Sequence, residues 1–487
     1  MSTTTITEDR TKPRTARFGR RSARGFFMGL TGAQAATVLA AVLVVAVTLA
    51  VLGVGAALKV LLLVSLPLGL VAMLRRDGVP LVEWIPIAWH FVRRRMTEQS
   101  GFRATAKPRP TASLLLPGES ARLRWMTSSD GSVVVHDPWT AGYTAVVRVR
   151  EPAFLLMEAE SQDGQISGWG RVLAGLCQAD VIRYAQVLEY CVPDSGDSLR
   201  DWWRTHGQPL NGLAGEHYEE LMAVAGPVSS RSESLVAITL DGKKARALIK
   251  HAGGGHAGAL SILAGQRRIV DGALTGASLA VEGWLTPEEL AYELRCAYDP
   301  AIRPVLDYHP RAGRDLDDAG PLAIEEHWDY LRSDSGFHSV LWLAEWPRSA
   351  VYPTFLAPLI LTPGVQRRLT LLYEPIPMRR AMRDIRMAKA ELVSDAVTKS
   401  KMGQVAAISD AAEMRDVQDR EAEMYAGHGD MGYAGLLSVT APTLDELTVA
   451  VGVIRQAAIQ AGCEARVLAG QQPQAFIAAA LPLTKGF

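Results

Sequence analysis

The sequence predicts an α+β protein: a two-helix transmembrane hairpin, then a cytoplasmic region of mixed or antiparallel sheets with a long helical hairpin. Three observations carry this. From Gln34 to Leu74 the chain has a single charge, Lys59. After Ser113, stretches alternating apolar and polar residues are interleaved with helical patterns, the mark of strands and helices sharing one core. Between Met378 and Tyr425 two consecutive charge-rich helical patterns meet at a loop around Lys399–Gly403.

The apolar run is long enough for two crossings, each needing about 20 residues. Gly53-Val54-Gly55 offers a reversal, which places the helices near Ala33–Leu52 and Ala56–Leu74. Pro67 predicts a kink in the second, and Lys59, in its first turn, can snorkel to the interface. A basic tail precedes the run, with Arg17, Arg20, Arg21 and Arg24 among its cations; Arg75, Arg76 and Arg93–Arg95 follow it. Positive flanks on both sides put both termini in the cytoplasm of a multi-pass protein of the cell (inner) membrane. A cleaved signal would be shorter and flanked differently.

Between Leu81 and Met96, Trp84, Trp89 and Phe91 precede three arginines. Indole rings beside arginines mark a membrane–water boundary, so this reads as an interfacial segment interrupted at Pro86. An aromatic helix packed under the following domain is the other reading. Thr105–Pro110 is a linker. The expected organisation is a tail (1–31), a hairpin (32–76), an interfacial segment and linker (77–112), a first α+β lobe (113–320) and a second with the helical arm (321–487).

Strand candidates are Val133–His136, Tyr143–Arg150, Val181–Cys191, Leu235–Leu240, Ser278–Glu282, His338–Trp346, Leu369–Tyr373, Tyr433–Thr440, Arg466–Leu468 and Ala475–Leu481. Val340, Trp342, Ala344 and Trp346 share one face of theirs by period-two alternation. Thr286-Pro287-Glu288-Glu289 and Thr443-Leu444-Asp445-Glu446 have capping-box spacing and predict helix starts. The arm helices, Met378–Thr398 and Gln404–Tyr425, present Arg383, Arg386 and Lys389 as candidate docking residues; a solvated charged face is the alternative.

Lysine plus arginine equals aspartate plus glutamate, 51 each in 487 residues, so no global cation excess is available for gripping nucleic acid. Four scattered cysteines read as ordinary buried thiols. The G-x-x-x-x-G-K-[ST] phosphate loop is absent. Gly253, Gly255 and Gly258 match G-x-G-x-x-G, which binds a dinucleotide only after a strand and at a helix start. His251 and His256, five apart without a nearby carboxylate, make a thin metal candidate. Glu325, Glu326 and His327 read as an acidic helix head. No catalytic constellation emerges, so the expectation is a non-enzymatic chain without cofactor or metal.

The segment Ala16-Arg17-Phe18-Gly19-Arg20-Arg21-Ser22-Ala23-Arg24-Gly25, then Leu30-Thr31-Gly32-Ala33-Gln34 and the apolar hairpin, resembles the PrgI-type inner-membrane proteins of actinobacterial conjugation systems. Trp342-Leu343-Ala344-Glu345-Trp346-Pro347-Arg348, with Pro353 and Leu356–Leu361, looks like that family's central strand. Arg368 to Leu483 is similar to the non-ATPase N-terminal half of the large type IV secretion ATPases. The resemblance implies a membrane-anchored docking subunit of a type IV secretion or conjugative DNA-transfer apparatus. Its partners would be the lipid bilayer, a separate P-loop ATPase and other channel subunits within an oligomeric complex, with DNA touched only indirectly. The chain ends about where the related ATPases begin their P-loop domain, which implies a motor on another polypeptide; no catalytic residue carries over. The alternatives are a type VII secretion membrane component, or a membrane-bound enzyme holding a nucleotide at Gly253–Gly258.

Overall fold

The computed structural model describes residues 32–76, 79–105, 110–150, 154–193, 203, 213–225, 230–308, 315–347, 349–401, 408–427 and 429–486. The tail with Arg17, Arg20, Arg21 and Arg24 lies outside them, as do residues 106–109 of the Thr105–Pro110 linker and the start of the second arm helix.

Two helices, Gln34–Leu52 and Val54–Met73, are long and apolar enough to cross a bilayer. They part at Gly53, whose φ of 78° is a conformation glycine adopts without strain. The Gln34 amide donates to the Ala72 carbonyl (2.6 Å) and the Ser65 hydroxyl to the Ala41 carbonyl (3.2 Å), so the helices pack antiparallel. Each polar side chain is thereby satisfied inside the pair. Elsewhere the apolar surface is bare among the described residues: Leu39, Val51 and Leu63 are 70%, 73% and 76% exposed. Pro67 has no N–H to donate, and the ladder shifts to a π turn at Leu61–Ser65, where the Leu66 N–H reaches the Leu61 carbonyl.

A short antiparallel ribbon, β1 (Arg75–Arg76) with β2 (Val79–Pro80), leads into a helix, Leu81–Met96. That helix runs through Pro86 rather than breaking there. The body follows: β3 (Gly101–Arg103), β4 (Arg124–Thr127), β5 (Val133–Asp137), β6 (Gly142–Arg150), β7 (Ile182–Pro193), β8 (Ser230–Asp241), β9 (Ala280–Trp284), β10 (Ala323–Glu326), β11 (Leu331–Ser333), β12 (Gly336–Glu345), β13 (Gln366–Ile376), β14 (Asp430–Ala441) and β15 (Glu464–Val467). These form one antiparallel sheet of 13 strands in the order β3-β10-β11-β12-β14-β13-β7-β8-β6-β5-β4, with β15 beside β12 and β9 beside β6.

This order contains the same unit twice. In the first half β6, β7, β8 and β9 lie in the order β9-β6-β8-β7, with helix Ala159–Gln178 after β6 and helix Gly255–Gly276 before β9. In the second, β12 to β15 lie as β15-β12-β14-β13, with helix Ala357–Ile360 after β12 and helix Leu444–Gln460 before β15. Each is the split βαβ arrangement of ferredoxin-like folds. Each is preceded by a hairpin, β4–β5 or β10–β11. Each is followed by a helix, Pro287–Tyr298 or Gln472–Ala480. The correspondence reaches single hydrogen bonds: Leu285 N–H donates to the Val146 carbonyl (2.8 Å) as Leu468 N–H does to Val340 (2.9 Å). The units join edge to edge through β7 and β13.

Alternation along the strands builds three layers. Ala145, Val147 and Val149 of β6 pack on helices Ala159–Gln178 and Gly255–Gly276, and Leu341 and Leu343 of β12 on helix Leu444–Gln460. Val146 and Val340 face the other way, into a core shared by both repeats around helices Pro287–Tyr298 and Gln472–Ala480. Both expected helix starts are capped: Thr286 exchanges side-chain and backbone bonds with Glu289, and the Thr443 hydroxyl accepts from the Glu446 N–H.

Three expectations are corrected. Ala475–Leu481 is not a strand but most of helix Gln472–Ala480, whose alanines are buried on every side and so show no period. Glu325 and Glu326 lie on β10, not at a helix head. A register shift between Leu343 and Glu345 ends the alternation of β12, and Trp346 joins the opposite core beside Phe355 and Tyr433. Helices Met378–Lys401 and Ile408–Tyr425, inserted between β13 and β14, pack on each other through Ala381, Ile385 and Met424.

Candidate functional site

Helix Leu81–Met96 links the two apolar helices to the body. Arg94, in its last turn, makes a bidentate pair with Glu326 of β10: Nε donates to Oε2 at 3.0 Å and Nη2 to Oε1 at 2.7 Å. Nη2 also reaches the Gly470 carbonyl at 2.6 Å. The Glu326 side chain is 2% exposed, so this is a charge-assisted contact shielded from water, stronger than a surface pair. One turn back, Phe91 meets Trp328 edge-on at 5.1 Å, and Trp84 lies 6.1 Å from the same ring. Gly470, with φ 70°, leaves room for Trp328 and Ile87; a side chain there would strike both. Trp84 is therefore a docking residue against the body, while Trp89 is 66% exposed. Arg75 is also exposed.

Beside Arg94 opens a cleft of about 780 Å3, bounded by Gln99–Phe102, the 117–123 turn, the β5–β6 turn and the C-terminal segment Leu483–Gly486. That size suits a small ligand or a peptide segment. Its charges are largely paired internally. Asp137 accepts from Arg122 Nε (3.1 Å), from the Lys485 ammonium and from the Trp139 N–H (3.0 Å). Burial alone would raise the Asp137 pKa, but Lys485 and the hydrogen bonds outweigh it and hold the carboxyl well below the usual range. Thr144, Thr239 and Thr484 bond one another at its floor. No histidine or cysteine is among the described residues lining it.

Gly253, Gly254 and Gly255 all have positive φ, but they follow helix Arg246–His251, not a strand. The context that makes G-x-G-x-x-G a phosphate cradle is missing. Gly258 serves packing instead, because a Cβ there would collide with the Ile249 carbonyl. His256 does not meet His251 in a metal site; its Nδ1 lies 3.0 Å from the Tyr143 hydroxyl and its ring 5.0 Å from that of His136. Among the described residues no group of three or more His, Cys, Asp or Glu side chains could hold a metal ion.

On the arm, Arg383 and Arg386 are exposed, whereas Lys389 forms an ion pair with Glu421 of the neighbouring helix. Reversing all three charges therefore disturbs the arm itself.

Sequence reasoning missed a buried polar cluster where the repeats meet. Glu293 Oε1 accepts from the Tyr190 hydroxyl (2.8 Å) and Arg148 Nη2 (2.9 Å), and Arg303 and Arg368 each stack over Tyr190 at 5.2 and 4.8 Å. Only Glu293 carried a signal, an acid amid the apolar positions of its helix. Comparison with family models and with curated proteins gives no match.

Proposed function

We propose that the chain is a membrane-anchored docking subunit of a type IV secretion or conjugative DNA-transfer apparatus, holding a separate P-loop ATPase and other channel subunits at the cytoplasmic membrane. The observation that carries it is mechanical. Two bare apolar helices run into a linking helix locked to the body by Arg94 and Trp328, and from that body projects a charged two-helix arm. A hairpin spanning the bilayer with both ends inside, as the flanking arginines favour, puts body and arm in the cytoplasm.

The test is purification of the full-length protein from native membranes in mild detergent. Stoichiometric recovery of a P-loop ATPase with membrane channel subunits is expected. Arg383→Glu with Arg386→Glu should weaken that recovery while leaving the body's melting unchanged. A chain that elutes alone reproducibly overturns the proposal.

A further inference from the structure

Helix Leu81–Met96 has two apolar faces, and the body uses only one. Trp84, Ile87, Phe91 and Arg94 turn toward Trp328, Gly470 and Glu326. On the other side Ile85, Trp89, Val92 and Met96 are 53%, 66%, 41% and 80% exposed. Their spacing of four, three and four residues gathers them, at 3.6 residues per turn, into a stripe roughly 60° wide. By the same geometry Arg93 and Arg95, both exposed, flank the stripe on its two sides.

We infer that this face lies in the surface of the bilayer, with the indole and aliphatic groups at headgroup depth and the arginines on anionic headgroups. The inference rests on the reading of Gln34–Leu52 and Val54–Met73 as the anchor. Position supports it. The second apolar helix ends at Met73, and only the ribbon Arg75–Pro80 separates it from the linking helix, which packs against both apolar helices. The stripe thus continues their apolar surface at the level where they leave the bilayer, and Arg75 adds an exposed cation there. A contiguous apolar patch on a soluble surface is unfavourable, whereas Trp with flanking Arg matches the interface on both counts. One helix then lies flat between lipid and protein, its inner face clamping the body and its outer face bound to the membrane.

Spin labels on the full-length chain test this. In a Cys191→Ser background, single labels at Val42→Cys, Trp89→Cys, Met96→Cys and Val449→Cys are reconstituted into vesicles of phosphatidylcholine with phosphatidylglycerol. Collision with oxygen, which partitions into lipid, is compared with collision with a water-soluble nickel chelate. The expected pattern is Val42 deep in the core, Trp89 and Met96 shallow but favouring oxygen, and Val449 in water. Arg93→Glu with Arg95→Glu should abolish the oxygen preference at Trp89. Val42 in the core with Trp89 and Met96 in water overturns the inference and leaves the anchor standing; Val42 in water overturns both. Labels at Trp89 and Met96 shielded from both reagents mean that protein covers the stripe, which also overturns it.

Discussion

Leu188 on β7 lies directly opposite Thr370 on β13, and the two hold the same place in their own repeats. The pairing runs evenly outward from them, from Arg367 with Cys191 to Tyr373 with Ala185, so a pseudo-twofold axis passes between these strands. Helix Gln472–Ala480 sits over that axis and is gripped from both sides. Gln186 donates to the Leu481 carbonyl (2.9 Å), and its counterpart Arg368 donates to that of Ala480 (2.9 Å). The Thr370 hydroxyl takes the Ala479 carbonyl at 2.8 Å. These polar contacts satisfy carbonyls at the end of a helix that has no solvent to turn to.

His338 makes the second repeat sensitive to acid. Its ring is fully buried between the Ser333 hydroxyl (2.7 Å from Nε2) and the Thr440 hydroxyl (2.9 Å from Nδ1); the corresponding residue of the first repeat, Thr144, bonds Thr239 instead. Burial, with the Arg368 charge nearby, pushes the His338 pKa down to about 3. The folded state thus prefers the neutral ring. Its contribution is fully present above the unfolded pKa of about 6.5 and is lost as the pH falls toward 3, because the unfolded chain binds the proton first. Between pH 7 and pH 5 this removes about 2 kcal/mol, at 1.36 kcal/mol per pH unit. Melting in detergent over that range should fall for the wild type and fall less for His338→Gln, whose starting stability is lower.

Gly258→Ala should destabilise the body by about 2 kcal/mol, the usual cost of overpacking. The new methyl meets the Ile249 carbonyl at the corner between helices Arg246–His251 and Gly255–Gly276. A lowered melting temperature checks this. ATP with magnesium, added to the wild type, should leave the melting curve where it was, because the glycines form a helix corner.

Legibility followed periodicity. Long strands such as Tyr143–Arg150 and Tyr433–Thr440 are visible because each face meets a different core and β-branched residues recur. The two apolar helices are visible because Gln34–Leu74 has no polar face. β10 and β11 are four and three residues long, too short to show a period, so Glu325 and Glu326 read as a helix head; β15, Glu464–Val467, is as short, and its strand candidate Arg466–Leu468 starts two residues late. The duplication was invisible for another reason. Equivalent positions hold different residues, Thr144 and His338 or Gln186 and Arg368, and only strand order reveals them. Arg94 was legible as one of three arginines, but its partner Glu326 is far away in the chain, beyond any local pattern.

The arm offers a separable test, because its three candidate residues do two different jobs. Lys389 and Glu421, 33% and 23% exposed, form a partly screened pair joining the two arm helices. Such a pair contributes at most about 1 kcal/mol, and reversing one member replaces attraction with repulsion of similar size. Lys389→Glu should therefore loosen helix Ile408–Tyr425 and raise its amide exchange by up to about thirtyfold, the equivalent of about 2 kcal/mol. Adding Glu421→Lys should restore protection, since the pair re-forms with its charges swapped. Arg383→Glu with Arg386→Glu should leave exchange in both helices unchanged, because those side chains point to solvent. If Lys389→Glu also leaves exchange unchanged, the helices are held by Ala381, Ile385 and Met424 alone. Loss of partners in that variant would then be a matter of docking rather than of the arm's own packing.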